Sequence, residues 1–119
     1  MIIKKFDITK RCFEFSVEIV KLANILPRTA AGFAIANQII RSGTSIGANV
    51  VEAQDAISKK EFIKMMLIAL KECRETLYWL SLIQKTELLP FQKIEVCLIE
   101  GKQLRAILAT IVNNSKKNS

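Results

Sequence analysis

Gln38, Arg41, Ser45, Asn49 and Glu52 recur at three- and four-residue steps, and each can hydrogen-bond or ionise. On a helix that spacing sets all five on one side. Glu75 could join Glu52 as a carboxylate pair of the kind glycosidases use. The rest of the chain does not support such chemistry. Histidine is absent, which removes the commonest general base and the usual imidazole ligands of a helical di-metal centre. Cys73 stands among Glu72, Arg74 and Glu75 with no imidazole to activate it. The glycines at 43 and 47 lie within a helical pattern, so they do not form a phosphate loop. Glu52 and Glu75 are expected instead to pair with Arg41 or Arg74, or to accept from Ser45 and Asn49. The row then has two readings. One is a buried inter-helix or inter-subunit hydrogen-bond network, preferred because such networks specify packing. The other is a recognition strip along a channel. A small-molecule or metal-binding bundle, with Arg41, Glu52 and Glu75 lining its pocket, ranks last. No enzymatic activity, cofactor or metal site is expected.

A second group is basic. Lys60, Lys64, Lys71 and, slightly rotated, Arg74 share a helical face, with Tyr78 farther along it. Lys4, Lys5, Lys10, Arg11, Lys116 and Lys117 cluster near the two ends. Lys and Arg number 18 against 11 acids, a net +7, which permits binding to nucleic acid or another anionic surface. Lysines contact phosphates, and Tyr78 or Trp79 beside them could stack on an unpaired base. Against this, Glu61, Glu72 and Glu75 interleave with the cations, as on an ordinary solvated helix, and the aromatic rings could be buried. No base-reading motif is present, so binding would follow shape and charge.

The elements that carry these groups read as four helices, at about 7–26, 31–56, 58–85 and 90–114. Asp7 or Thr9 can cap the first, and Pro27 ends it. Ser58 and Glu61 form a capping box for the third. Pro90 suits the first position of the fourth. Short turns between them predict an all-α, up-down-up-down antiparallel four-helix bundle in a single domain over 1–119. Gly43 and Gly47 sit on an apolar stripe with Ile39, Ile46 and Val50. Each costs about 1 kcal/mol relative to Ala in a helix interior, so a close approach by another helix is expected there. The apolar faces exceed one core. The surplus, assigned to Phe15, Ile19 and Leu22 and to Ile63, Leu67 and Leu70, predicts burial against another subunit. Three cysteines, an odd number, read as reduced buried thiols. No run suits a signal peptide or a membrane span, so the cytoplasm is the expected compartment.

The pattern Q-x-x-R-x-x-x-S-I-x-x-N-x-x-E over Gln38 to Glu52, followed by Glu61-Phe62, resembles the bacterial four helix bundle protein family. It is also called the 23S ribosomal RNA intervening-sequence protein family. Leu26-Pro27 and the block ALKECRETLYWL, Ala69 to Leu80, agree with it. Gly47 stands where many members carry Pro, and Ala53 where many carry Gly; both bear on where the second helix ends. The resemblance implies a four-helix bundle assembled as a ring-like homopentamer. It implies an RNA context only by genomic association, although relatives of similar architecture serve as accessory factors to nucleic-acid enzymes. The expected function is a non-enzymatic homo-oligomer that binds RNA or other nucleic acid through its basic faces. The alternative is a protein-interaction scaffold with no direct nucleic-acid binding.

Overall fold

Each helix boundary follows from local chemistry. A computed structural model describes residues 2–118, with side chains from Ile8 to Asn118. Its helices are α1 (Ile2–Asn24), α2 (Ala30–Ala53), α3 (Lys59–Thr86) and α4 (Phe91–Lys117). α1 starts upstream of the expected caps at Asp7 and Thr9, because no breaker lies between them and Ile2. The side chains of Lys4, Lys5 and Asp7 lie outside the described residues. After Asn24 the chain makes two tight turns, Ile25 N to Leu22 O at 3.1 Å and Leu26 N to Ala23 O at 3.3 Å, ahead of Pro27.

Thr29 caps α2, its hydroxyl accepting from the Gly32 amide at 3.1 Å. A Cβ on Gly32 would lie 1.8 Å from the Pro27 carbonyl oxygen. The turn therefore closes onto the first turn of α2, and only glycine fits there. α2 stops at Ala53, earlier than expected. Gln54, Asp55 and Ala56 bond instead to carbonyls three residues back, a tightened last turn. Ser58 caps α3 by accepting from the Glu61 amide at 3.1 Å. The Glu61 carboxylate reaches one residue beyond Ser58, accepting from the Ile57 amide at 2.9 Å. At its far end Glu87 takes a left-handed conformation, φ 58°, and the Leu88 amide closes onto Ile83 O at 3.2 Å. Pro90 is the N-cap of α4 rather than its first helical residue.

The helices run up-down-up-down. α1 packs on α2, α2 on α3 and α3 on α4, and α4 closes more lightly onto α1. Arg11 reinforces that lighter seam, donating to both carboxylate oxygens of Glu100 at 3.0 and 2.7 Å and to Gln103 at 3.0 Å. The bundle measures 47 × 21 × 20 Å. Ile39, Ile46, Leu80, Ile94 and Leu104 are fully buried at its centre, each stabilising by roughly 1.5–3 kcal/mol through burial.

The glycines on α2 draw α1 in. A Cβ on Gly43 would meet Ile19 Cγ2 at 2.7 Å, and one on Gly47 would sit 3.4 Å from the Cys12 backbone. This approach rotates α1 so that Phe15, Ile19 and Leu22 enter the core. The surplus-face assignment is corrected accordingly: these residues and Leu70 are buried within the chain, and the outward stripe of α1 is Phe13, Val17 and Val20. Periodicity identifies two stripes on α1 but cannot say which meets α2.

Candidate nucleic-acid interface

The motif row lies on the α2 surface, not inside the bundle, with Arg41 reaching α3 and Glu52 at the α1–α2 groove. Gln38, Arg41 and Glu52 are exposed, and Ser45 and Asn49 half-buried. Within the single chain, Ser45 Oγ donates to Arg41 O at 2.5 Å and Asn49 Nδ2 to Ser45 O at 2.8 Å, both within α2. Neither reaches a carboxylate. Arg41 is the exception. It crosses to α3, where Nη1 meets Glu72 at 3.2 Å and Nη2 meets Glu75. The Trp79 indole donates to the same Glu75 carboxylate at 3.1 Å. The Arg41 hydrogen bond, helped by Trp79 and the nearby charges of Arg41 and Lys71, holds Glu75 below its usual carboxylate range, partly opposed by burial. The Glu52 side chain makes no ion pair or hydrogen bond among the described residues. Of the two carboxylates, Arg41 thus pairs with Glu75 and not with Glu52.

This arrangement changes the electrostatics of α3. Of the acids interleaved with its lysines, Glu61 is used in capping, while Glu72 and Glu75 face Arg41. Lys60, Lys64, Lys71 and Arg74 are all exposed, and none makes an ion pair among the described residues. The three lysines rim a shallow apolar strip floored by Ile63, Leu67 and Ile68. Tyr78 extends this face and is 61% exposed. Its ring meets Trp79 edge to face, with centroids 5.1 Å apart and planes at 76°. Among the end clusters, Arg11 is committed to Glu100 and does not belong to this surface.

A family model described as 23S rRNA-intervening sequence protein matches residues 4–110. The chain belongs to this family. Its fold is similar to that of a solved structure from Bacteroides thetaiotaomicron VPI-5482, described as a protein with unknown function from the S23 ribosomal protein family. The two share 39% identity over 88% of this chain and 97% of that one, with a TM-score of 0.83. No curated protein matches the sequence.

Two features of this chain have no signature in residue spacing. The first is a buried polar contact. Thr76 Oγ1 donates to Ser42 Oγ at 2.9 Å, and both residues are fully buried between α2 and α3. Ser42 falls between motif positions, and its place beside Gly43 was the available signal. The second is the outward α1–α2 face. Phe13, Val51 and Ala48 are exposed there, around a groove that also includes Thr44, Gly47 and Glu52. All three cysteines are buried. Burial pushes the Cys12 thiol up to about 12, with Cys73 and Glu100 adding to it, and pushes Cys73 and Cys97 up to about 11. Among the described residues there is no cluster of three or more metal-ligating side chains. No described helix is long and apolar enough to cross a membrane.

Proposed function

We propose that this member of the family is a non-enzymatic homo-oligomer that binds RNA or other nucleic acid through α3. The carrying observation is the segregation of charge on that helix. Four cations are exposed without ion pairs while the neighbouring acids are engaged elsewhere. Each phosphate neutralised by such a cation releases counterions, so affinity should fall steeply with salt. Assembly of like chains has its own support. Phe13, at 68% exposure, continues with Val17, Val20 and Val51 along the α1–α2 face, and a patch of this kind calls for a partner. Given the order in which the helices neighbour one another, that face is opposite the α3–α4 side. Assembly and polyanion binding therefore need not compete. A count of five subunits is what the family resemblance implies.

The test is binding of labelled single- and double-stranded RNA and DNA across a salt series, with mass by light scattering on the same sample. Charge reversal at Lys60 and Lys64 should abolish binding and leave the mass unchanged. Undiminished affinity in that variant would remove the assignment to α3. The rival reading, a protein scaffold, draws on Leu67 and Ile68, which give the lysine strip an apolar floor. An assembled oligomer that binds no nucleic acid at low salt would favour it.

A further inference from the structure

Tyr78 is an exposed aromatic ring held in place from behind. Trp79 donates to Glu75, and Glu75 is gripped by Arg41. Trp79 then meets Tyr78 edge to face. Such a contact covers at most one face of the tyrosine ring, so at least one face is free. The Tyr78 hydroxyl makes no hydrogen bond among the described residues. A tyrosine 61% exposed, with a braced ring and an unused face, is poorly explained as packing.

The cations around it come from two helices. α4 approaches α3 closely at Gly101: a Cβ there would lie 2.9 Å from Leu77 Cδ2, and Cys73 Sγ donates to Gly101 O at 3.4 Å. That approach sets the residues flanking Gly101 beside those flanking Cys73. Arg74 follows Cys73 on α3 and Arg105 lies about one turn beyond Gly101 on α4, so both flank this close approach. Lys102 follows Gly101 and is exposed, as is Arg105. None of these three makes an ion pair among the described residues.

We infer that the α3–α4 seam is a single-strand site, where one unpaired base stacks on Tyr78 and adjacent phosphates lie along Arg74, Lys102 and Arg105. This rests on the nucleic-acid reading above and deepens it, adding α4 to the surface and choosing single strands over duplex. A duplex keeps its bases stacked on one another and offers none to Tyr78, whereas a single strand offers every base. The apolar rings supply affinity that salt does not screen; the cations supply the part that it does.

The experiment uses the assembled full chain with a single-stranded oligonucleotide containing 2-aminopurine, in RNA and DNA versions, and the matching duplexes. The protein has one Trp and one Tyr, so Trp79 emission reports the site directly. Tyr78→Leu should weaken single-strand binding by about 5- to 100-fold. It should leave the salt slope and duplex binding unchanged, and Tyr78→Phe should restore affinity. Arg105→Gln should lower the slope of log affinity against log salt by about 0.7, the value of one phosphate on a single strand, without altering 2-aminopurine quenching. Single-strand binding that survives Tyr78→Leu intact overturns the stacking site while the broader polyanion reading stands. Equal losses for single strand and duplex also overturn it. Failure of both ligands to bind removes the polyanion reading and this site with it.

Discussion

Side-chain space at two glycines on the same stripe leads to opposite expectations. At Gly43 an added methyl would press on Ile19 Cγ2 at 2.7 Å, and Ile19 is fully buried with nowhere to move. Gly43→Ala should therefore destabilise by about 1–3 kcal/mol, the usual cost of overpacking, despite the better helix propensity of Ala. At Gly47 the nearest atoms are 3.4 Å away. There the gain of about 1 kcal/mol from replacing a helical glycine offsets the crowding, and Gly47→Ala should be near neutral. Urea unfolding of both variants checks this; equal losses would mean the α1–α2 spacing is not set at Gly43. The thiols give a pH dependence of definite sign. Their native values of about 12, 11 and 11 lie above the ordinary 9.0. Above pH ~9 the unfolded chain loses protons that the native chain keeps, so stability must fall as pH rises toward ~11–12 and be unaffected by these groups below ~9. Cys97→Ala should flatten that alkaline decline in denaturant titrations, and an unchanged decline would show that other groups cause it.

Helix ends and seams are the next level. Glu87 occupies a left-handed conformation at the end of α3, which costs a non-glycine residue about 1–2 kcal/mol. Glu87→Gly should raise stability by about 1 kcal/mol, with the larger backbone entropy of unfolded glycine offsetting part of the relief. A lowered melting temperature would contradict this. Between α2 and α3, the Thr76–Ser42 hydrogen bond is fully buried. The single Thr76 hydroxyl hydrogen can turn instead to Glu72 O at 2.8 Å, with Ser42 then donating in the 2.9 Å contact; the other contact of Ser42 is a long 3.5 Å one to Ile39 O. Removing either hydroxyl should cost about 1–3 kcal/mol. The Ser42→Ala/Thr76→Val pair should cost less than the two singles summed. Additivity in that cycle would mean the two hydroxyls are not coupled.

For the whole molecule, the proposed function assigns assembly to the outward α1–α2 face and polyanion binding to the α3–α4 side. Phe13→Glu with Val17→Glu should reduce the mass seen by light scattering to that of one chain. It should leave helix content and thermal unfolding of the single bundle intact, because both residues are exposed. Retention of the full oligomer would move the contact to another face. The same variant also tests whether nucleic-acid affinity depends on repetition, since separate chains lose the gain from multiple linked contacts.

Much of the fold was legible in the chain itself. Pro27, the Ser58–Glu61 cap and the helical apolar stripes mark where the backbone must turn and which stretches need burial, and those are local properties. Gly43 and Gly47 likewise announce a close approach, because a glycine there is costly unless a neighbour uses the space. Partner choice was legible only in part: Arg41 does pair with Glu75, as its type and position suggest. Ser45 and Asn49 bond within their own helix, Arg41 spans to α3, and the Glu52 side chain remains unengaged. All four share one helical face, so spacing cannot separate them. Which stripe of α1 faces inward, and whether the acids of α3 cancel its lysines, depend on the rotation of each helix against its neighbours. Side-chain periodicity defines directions around one helix axis; only tertiary packing relates that axis to the next.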